Sequence, residues 1–205
     1  MFECKAPVCA GAFSFGDSVL DPTPEKFQIE LHPHSLEWAK TAMTETARLK
    51  SALGDVLVTV HHVGSTAIPG ILAKPIIDLI PVVTDLAGLD ARENAIRALG
   101  YKWYGEFGLA GRRYCTLTDP VTGKRKLQLH CYTEGAAGMP RHLAFRDYLR
   151  AYPQIAKEYE GQKVRAAALH PDDVLAYNDA KNDWIKRLER DALAWWATQK
   201  DPPSP

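Results

Sequence analysis

The residues with the most chemical potential lie between Val63 and Val83, in the run VGSTAIPGILAKPIIDLIPVV. Gly64 and Ser65 end a β-branched stretch, twelve residues follow, and Asp78 then sits inside an apolar run. A Gly-Ser bend at a strand-to-helix turn suits phosphate. Glycine lets the main chain approach an anion and take dihedrals closed to other residues. The N–H groups of a helix start face the anion, and the Ser65 and Thr66 hydroxyls add donors. An Asp on a neighbouring strand can hold Mg²⁺ against those phosphates. Taken alone, such a bend is an ordinary turn. Asp78 is more informative, because a carboxylate on an apolar strand needs a cation, a metal or hydrogen-bond donors. Lys74, four residues earlier, is one candidate partner.

Two histidines extend the set. His62 falls two residues before the Gly-Ser bend, and His130 lies in KLQLHCY. With period-2 alternation Gln128, His130 and Tyr132 share one strand face, and Leu127, Leu129 and Cys131 the other. Convergence of His62, Asp78 and His130 would give two imidazoles and one carboxylate. That set suits a transition metal, or a general base beside a substrate. The alternative is that each imidazole is a hydrogen-bonded structural group. Arg112 and Arg113 follow the loop GEFGLAG. Paired arginines there suit phosphate or carboxylate, since a guanidinium binds either bidentately; on a strand only one of the two can point inward. Arg141 opens a helical stretch and could reach an anion. Glu106 is a loop carboxylate that could serve as a base, and Asp147 fits an ion pair within or between helices.

The elements that must position these groups follow from pattern. A helix is expected from about Ser35, a good N-cap, to Leu53, with Gly54 as its stop. Val56 to Val63 reads as a strand, Gly64 to Gly70 as a turn or very short helix, and Pro75 to Val83 as a strand buried on both faces. Pro81 predicts a bulge, an edge position or an early end to that strand. Leu86 to Leu99 reads as one helix ended by Gly100. Strands are expected at Arg113 to Leu117 and Lys126 to Tyr132, then helices at Arg141 to Ala151, Pro153 to about Leu169, and Pro171 to about Trp196. The outcome is an α/β (α+β) chain, a mixed β-sheet with a helical C-terminal layer. Residues 1–25 read as an irregular arm, 26–198 as a single domain and 199–205 as a disordered tail. Trp184, Trp195 and Trp196, with Tyr148, Tyr152, Tyr159 and Tyr177, read as helix packing. Lys181, Lys186, Arg187 and Arg190 alternate with acids and read as a solvated face.

Composition narrows the function classes. The 205 residues carry 25 Lys plus Arg and 25 Asp plus Glu, a formal net charge of zero. A balanced chain has no global field to draw it onto nucleic acid or anionic lipid. The most apolar stretch, residues 68–83, is broken by prolines, Lys74 and Asp78, so no spanning helix is expected. The N-terminal residues lack the pattern of a signal peptide. Four cysteines do not make a disulfide scaffold in a chain of this length, and Cys4 and Cys9 lack a matching second ligand pair for zinc. A reduced, cytoplasmic setting is the expectation.

VGSTAIPGILAKPIIDLI resembles the signature of the GrpB family. The segments RRYCTLTD and KLQLHCYTEG, and the later RHLAFRDYLRAYPQIAKEYEGQK, are also similar to that family. The likeness covers roughly residues 29–188. It implies a nucleotidyltransferase-like fold, in which a Gly-Ser turn is followed by an Asp-hydrophobic-Asp pair and a third acid on a later strand, all serving two Mg²⁺ ions. GrpB domains also occur fused to dephospho-CoA kinase. The resemblance favours Arg113 over Arg112. This sequence departs from the superfamily pattern at Ile80, where the second acid belongs, and at Gln128 and His130, where a third is expected. One carboxylate is too few for two Mg²⁺ ions.

The leading expectation is therefore a transferase-like protein that binds a nucleotide or a phosphorylated small metabolite. In it Gly64, Ser65 and Thr66 contact phosphate, Lys74, Arg113 and Arg141 neutralise charge, Asp78 orients Mg²⁺ or holds Lys74, and His62 and His130 act as acid–base or positioning groups. Two other expectations stand beside it: a non-catalytic ligand-binding or regulatory module, and a transferase of an acyl or amino group using the same cleft. No nucleic-acid or membrane partner is expected.

Overall fold

A computed structural model of the chain describes residues 28–200. The expected N-terminal arm, with Cys4 and Cys9, lies outside the described residues, as do positions 201–205 of the expected tail.

Helix α1, Leu36–Leu53, starts at Ser35, whose side chain accepts the Glu37 N–H, and ends at Gly54 with φ 58°. Its inward residues Trp38, Ala42, Glu45, Leu49 and Leu53 recur every three or four positions. Strand β1, Leu57–Val63, leads through a single 3₁₀ turn over Ser65–Ala67 towards β2, Ile77–Val83. The expected helix over Leu86 to Leu99 is instead two short ones, α2 at Leu86–Asp90 and α3 at Glu93–Ala98. The break falls beside Asp90, whose carboxylate is held by Arg113, 23 residues further along the chain. Strands β3, Lys102–Trp103, β4, Arg113–Thr118, and β5, Arg125–Thr133, follow. Helices α4, Met139–Ala151, α5, Pro153–Leu169, and α6, Val174–Lys200, complete the described chain. Prolines stand at the N-terminal ends of α4 and α5. The start at Met139 and the end at Lys200 lie beyond the expected bounds of those helices.

The sheet has five strands in the order β1-β2-β5-β4-β3. β2 runs antiparallel to β1 and parallel to β5, and the remaining pairs are antiparallel. The architecture is thus a mixed α/β sheet with helices. Pro81 does not mark an edge or an end: it lies in the interior strand β2, opposite Val60. Pairing with β5 is missing at Ile80 and Pro81 and resumes in the same register at Val82. The irregularity of this ladder falls on β1, between Leu57 and Thr59.

The two sheet faces are covered differently. On one, Leu79, Val83, Cys115, Leu127, Leu129 and Cys131 pack against α1, α2 and α3; Cys115 and Cys131 are free, buried thiols. On the other, Val63, Ile80, Val82 and Tyr132 pack under Leu143 of α4. Asp78, Gln128 and Thr116 continue that second face where the apolar cover ends. The C-terminal helices also grip residues 62–72 by their main chain. Arg146 donates to the His62 carbonyl, Arg150 to that of Ala67, Lys157 to that of Gly70 and Lys163 to that of Leu72, while Glu160 accepts the Leu72 N–H. Ile68 and Ile71 add an apolar anchor against Phe145, Leu149 and Ile185. Among the described residues, no helix is long and apolar enough to cross a membrane.

One polar knot lies under the first face. Glu45 is 4% exposed; it accepts Tyr101 Oη at 2.9 Å and Arg48 Nη1 at 2.7 Å. Arg48 also caps the Leu99 carbonyl. Removing one donor from a buried carboxylate costs about 1–3 kcal/mol. Tyr101→Phe is expected to lower the free energy of unfolding by that amount in urea titrations.

Candidate functional site

Gly64 ends β1 with φ 70° and ψ −173°, a backbone state that side-chain-bearing residues avoid. A Cβ there would stand 3.0 Å from Asp78 Cγ and closer still to Oδ2. The carboxylate therefore rests against the bare main chain of the turn. Val63 and Asp78 are paired across β1 and β2, which sets Asp78 on the second sheet face. Parallel pairing brings Gln128 beside it. His130 Nε2 lies 3.9 Å from Asp78 Oδ1. The His130 ring is almost fully buried, 5.2 Å from Tyr114 and 5.6 Å from His142. Its Nδ1 has no hydrogen-bond partner among the described residues. Tyr114 Oη donates to Gln128 Oε1 at 2.9 Å. Burial, then the nearby Arg141, His130 and Arg112, hold His142 well below the usual imidazole pKa.

The turn's hydroxyls are not equivalent. Ser65 Oγ donates to Tyr159 Oη at 3.1 Å and faces α5. Thr66 is buried, bonded to His62 Nε2 at 2.9 Å and donating to the Ile76 carbonyl at 3.4 Å. The Thr66 hydroxyl, expected to contact phosphate, is instead engaged within the turn, tying it to β1 and to the segment just before β2.

His62 does not join Asp78 and His130. Register places it opposite Leu79, on the first sheet face, because adjacent residues of a strand point to opposite sides. Burial lowers its pKa to about 4, so it is a neutral group bonded to Thr66. Arg113 is likewise turned away. It pairs with Cys131, and its guanidinium grips both oxygens of Asp90 at 2.6 and 2.7 Å, with Glu106 at 3.6 Å. Its neighbour Arg112 is the inward member of the pair. Arg112 is fully buried, 5.1 Å from the Tyr114 ring centre and donating to the Phe107 carbonyl. Glu106 closes its own loop by accepting the Gly111 N–H. Arg141 is ion-paired with Glu189 of α6 at 3.4 Å. Asp147 holds Arg146 and Arg150 within α4.

Lys74 approaches from the segment before β2. Its Nζ lies 4.9 Å from the centre of the Tyr177 ring, and burial lowers its pKa to about 8 against the opposing pull of Asp78. Two further lysines, absent from the sequence-based site, lie near. Lys163 of α5 is 4.5 Å from the Tyr159 ring centre, and burial lowers its pKa to about 7. Lys181 of α6 is 4.8 Å from the Tyr177 ring. At 3% exposure Lys181 is no part of a solvated face, which corrects the reading drawn from its acidic neighbours. The signal for both was present as aromatic–lysine pairs one helical turn apart, Tyr159 with Lys163 and Tyr177 with Lys181.

Among the described residues, no group of three or more His, Cys, Asp and Glu is placed to hold a metal ion. Ile80 is fully buried among Val63, Val82 and Leu143, so the position of a second acid is core. A lone carboxylate fits a single hard cation completed by ligand oxygens and does not fit a two-ion centre.

The family model described as GrpB protein matches residues 28–191. The chain belongs to the GrpB family. Among its GrpB-related sequences, UPF0157 protein YqkA of Bacillus subtilis is 41% identical over 83% of this chain and 49% of that protein. The UPF0157 protein SCO7215 of Streptomyces coelicolor is 36% identical over 83% of this chain and 88% of its own. This chain thus spans about half the length of YqkA. A protein named dephospho-CoA kinase, from Mycolicibacterium paratuberculosis, is 29% identical over 82% of this chain and 46% of its own. The crystal structure of the GrpB protein of Enterococcus faecalis matches at TM-score 0.76 and 36% identity, over 82% of this chain and 99% of that one. A weaker likeness, TM-score 0.48 at 14% identity over 67% of this chain and 44% of that one, is to the Cid1 poly(U) polymerase with MgGTP bound.

Two outcomes check this GrpB-family site physically. Gly64→Ala is expected to destabilise the fold by about 1–3 kcal/mol through backbone strain and collision with Asp78. In an Asp78→Ala background the cost should shrink, and a double-mutant cycle by urea unfolding measures the coupling. The buried lysines set a pH dependence. Their folded pKa values lie below the ordinary 10.5, so the unfolded chain binds more protons from about pH 7 up to about 10.5. Stability should therefore rise with pH across that window, by about 1.4 kcal/mol per unit for each lysine that is neutral when folded and charged when unfolded. Lys163→Gln should flatten the rise in urea titrations at stepped pH.

Proposed function

We propose that this GrpB-family chain binds a nucleotide or a phosphorylated small metabolite at the Gly64–Ser65 turn, with its phosphate between Ser65, Lys74 and Asp78. The carrying observation is the contact of the Asp78 carboxylate with the bare main chain of Gly64. It puts an acid, a hydroxyl and the main chain of a turn within one small volume, with Lys74 in the field of the same acid. That combination suits a phosphate and a counter-ion, and has no use in packing alone.

In this reading Lys74 neutralises phosphate charge, and on binding the Ser65–Tyr159 bond reverses, so that Tyr159 Oη donates to Ser65 Oγ and Ser65 turns its own proton to a phosphate oxygen. When bound, Mg²⁺ would be held by Asp78 and phosphate oxygens, and would stabilise negative charge on the phosphoryl group. Transfer of a nucleotidyl group to a small acceptor is the reaction that the arrangement best suits. The acceptor hydroxyl oxygen bonds to the α-phosphorus, the bond from that phosphorus to the leaving pyrophosphate breaks, and His130 takes the hydroxyl proton. Ile80 favours a second reading, a ligand-binding module without turnover, because the buried isoleucine stands where transfer chemistry would use another acid.

Thermal-shift measurements with ATP, GTP, CTP, dephospho-CoA and coenzyme A, each with and without Mg²⁺, test the binding. At a hundredfold excess over Kd, a ligand stabilises by about 2.7 kcal/mol. At least one is expected to raise Tm, and Asp78→Asn should abolish the Mg²⁺-dependent part. If none shifts Tm at millimolar concentration, the reading fails. Pyrophosphate release with candidate acceptors separates the transferase from the module.

A further inference from the structure

We infer that Gln128, its carboxamide oriented by Tyr114, is a ligand-contacting residue of this site and donates to a phosphate oxygen beside Asp78, where a second divalent cation would otherwise have to sit. This role rests on the phosphate-binding reading above and deepens it, because it names the group that lets an anion lie next to an acid.

A phosphate brought to the Gly64–Ser65 turn meets the Asp78 carboxylate. Two anions at close range repel unless a cation or hydrogen-bond donors lie between them. Asp78 offers a single carboxylate, and Ile80, two residues on, is core. The donors come from the neighbouring strand. Asp78 and Gln128 are paired in the parallel ladder of β2 and β5, so their side chains leave the same face from strands about 4.8 Å apart. Gln128 is half-buried, and its Oε1 accepts the Tyr114 hydroxyl at 2.9 Å. That bond leaves the amide nitrogen as the free end, and the nitrogen has no partner among the described residues. Both of its hydrogens remain to be given. The field of the adjacent carboxylate favours the N–H end of the amide on its own side.

The hydroxyl that orients Gln128 is itself fixed. Tyr114 is buried, and burial raises its pKa, so Oη keeps the proton it donates. Its ring stacks on Phe107 at 5.2 Å, with His130 also at 5.2 Å and the Arg112 guanidinium at 5.1 Å. Phe107 holds φ 47°, a left-handed state unfavourable for a bulky side chain. Arg112 secures it there by donating to the Phe107 carbonyl at 2.9 Å. Backbone strain is thus accepted in the loop while one ring is clamped, which is expected where the direction of a polar group matters. A carboxamide held this way supplies two N–H dipoles without adding charge. It can sit beside a carboxylate and still stabilise an oxyanion. A lysine at this position would ion-pair with Asp78 and withdraw it, and a glutamate would need a cation between the two acids.

Gln128→Glu and Gln128→Leu in the full chain separate a donor from a filler, with circular dichroism and Tm to establish that each variant is folded. Titration with Mn²⁺ alone reads the direction of the side chain. Gln128→Glu is expected to bind Mn²⁺ at least tenfold more tightly than wild type, because it sets a second carboxylate beside Asp78. Gln128→Leu should show no gain, and adding Asp78→Asn to Gln128→Glu should remove it. Isothermal titration with ATP, GTP, CTP, dephospho-CoA and coenzyme A, each with and without Mg²⁺, reads the donor. The compound that wild type binds most tightly should bind Gln128→Leu at least tenfold more weakly under the same conditions. Tyr114→Phe should weaken it threefold or more, yet have no further effect in Gln128→Leu, whereas a purely structural tyrosine would act equally in both. Unchanged Mn²⁺ affinity in folded Gln128→Glu overturns the role of Gln128, as does equal ligand affinity in wild type and folded Gln128→Leu. If that ligand's binding still depends on Ser65, the phosphate-binding reading survives the loss. If no compound binds wild type in either condition, both fall.

Discussion

The contact of one carboxylate with one glycine organises the functional end of this molecule. Asp78 is partly buried on an interior strand of the sheet, and Gly64 offers it a surface without a side chain. A carboxylate in that setting is costly unless its charge is answered. Lys74 supplies part of the answer through the field and His130 another part at 3.9 Å. Neither makes a tight ion pair with it, so the acid stays available to a third party. A well-formed salt bridge would have given a quieter interior and a less useful one.

Around this contact the second sheet face divides along its length. Where Ile80, Val82 and Tyr132 point outward, α4 closes over them. Where Asp78, Gln128 and Thr116 point outward, the neighbours are Tyr114, His130 and, in the field of Asp78, Lys74. Strands β2 and β5 contribute to both halves, and a shift of two residues along β2 separates core from chemistry. Ile80 is where this division is sharpest. It is the residue at which the sequence departs from the two-acid pattern that the resemblance led one to expect, and it is also a fully buried member of the apolar half. An acid there would have to be solvated by metal ions, and the aliphatic neighbours offer it nothing.

Much of the scaffold was legible in the sequence, because apolar periodicity and glycine or proline punctuation report backbone state directly. The Ser35 cap, the doubly buried β2 and the three C-terminal helices all follow from such signals. Pro81 and the helix over Leu86 to Leu99 did not: the interior place of the proline is set by the pairing of β2 with β1 and β5, and the break falls where Asp90 meets Arg113, far along the chain. The site was half legible. Asp78 and the Gly64–Ser65 turn are local features, and local reasoning paired them. His62 and Arg113 point away because strand register decides which side a residue faces, and register is settled by cross-strand neighbours rather than by the strand itself. Lys163 and Lys181 were hidden by composition. A lysine among acids looks solvated in one dimension, and only the aromatic ring one turn earlier marks the inward stripe.

The grip of the C-terminal helices on residues 62–72 is made to carbonyl oxygens and an amide, with few side chains of that segment involved. Handles of that kind exist at every position of a polypeptide. Apart from the anchors Ile68 and Ile71, this stretch can exchange its outward residues without loosening its mooring, while the helices that hold it cannot exchange their cations so freely. Diversification of ligand preference among related chains would thus be cheap on the loop and expensive on α4 and α5, an asymmetry of evolvability built from nothing more specific than main-chain dipoles.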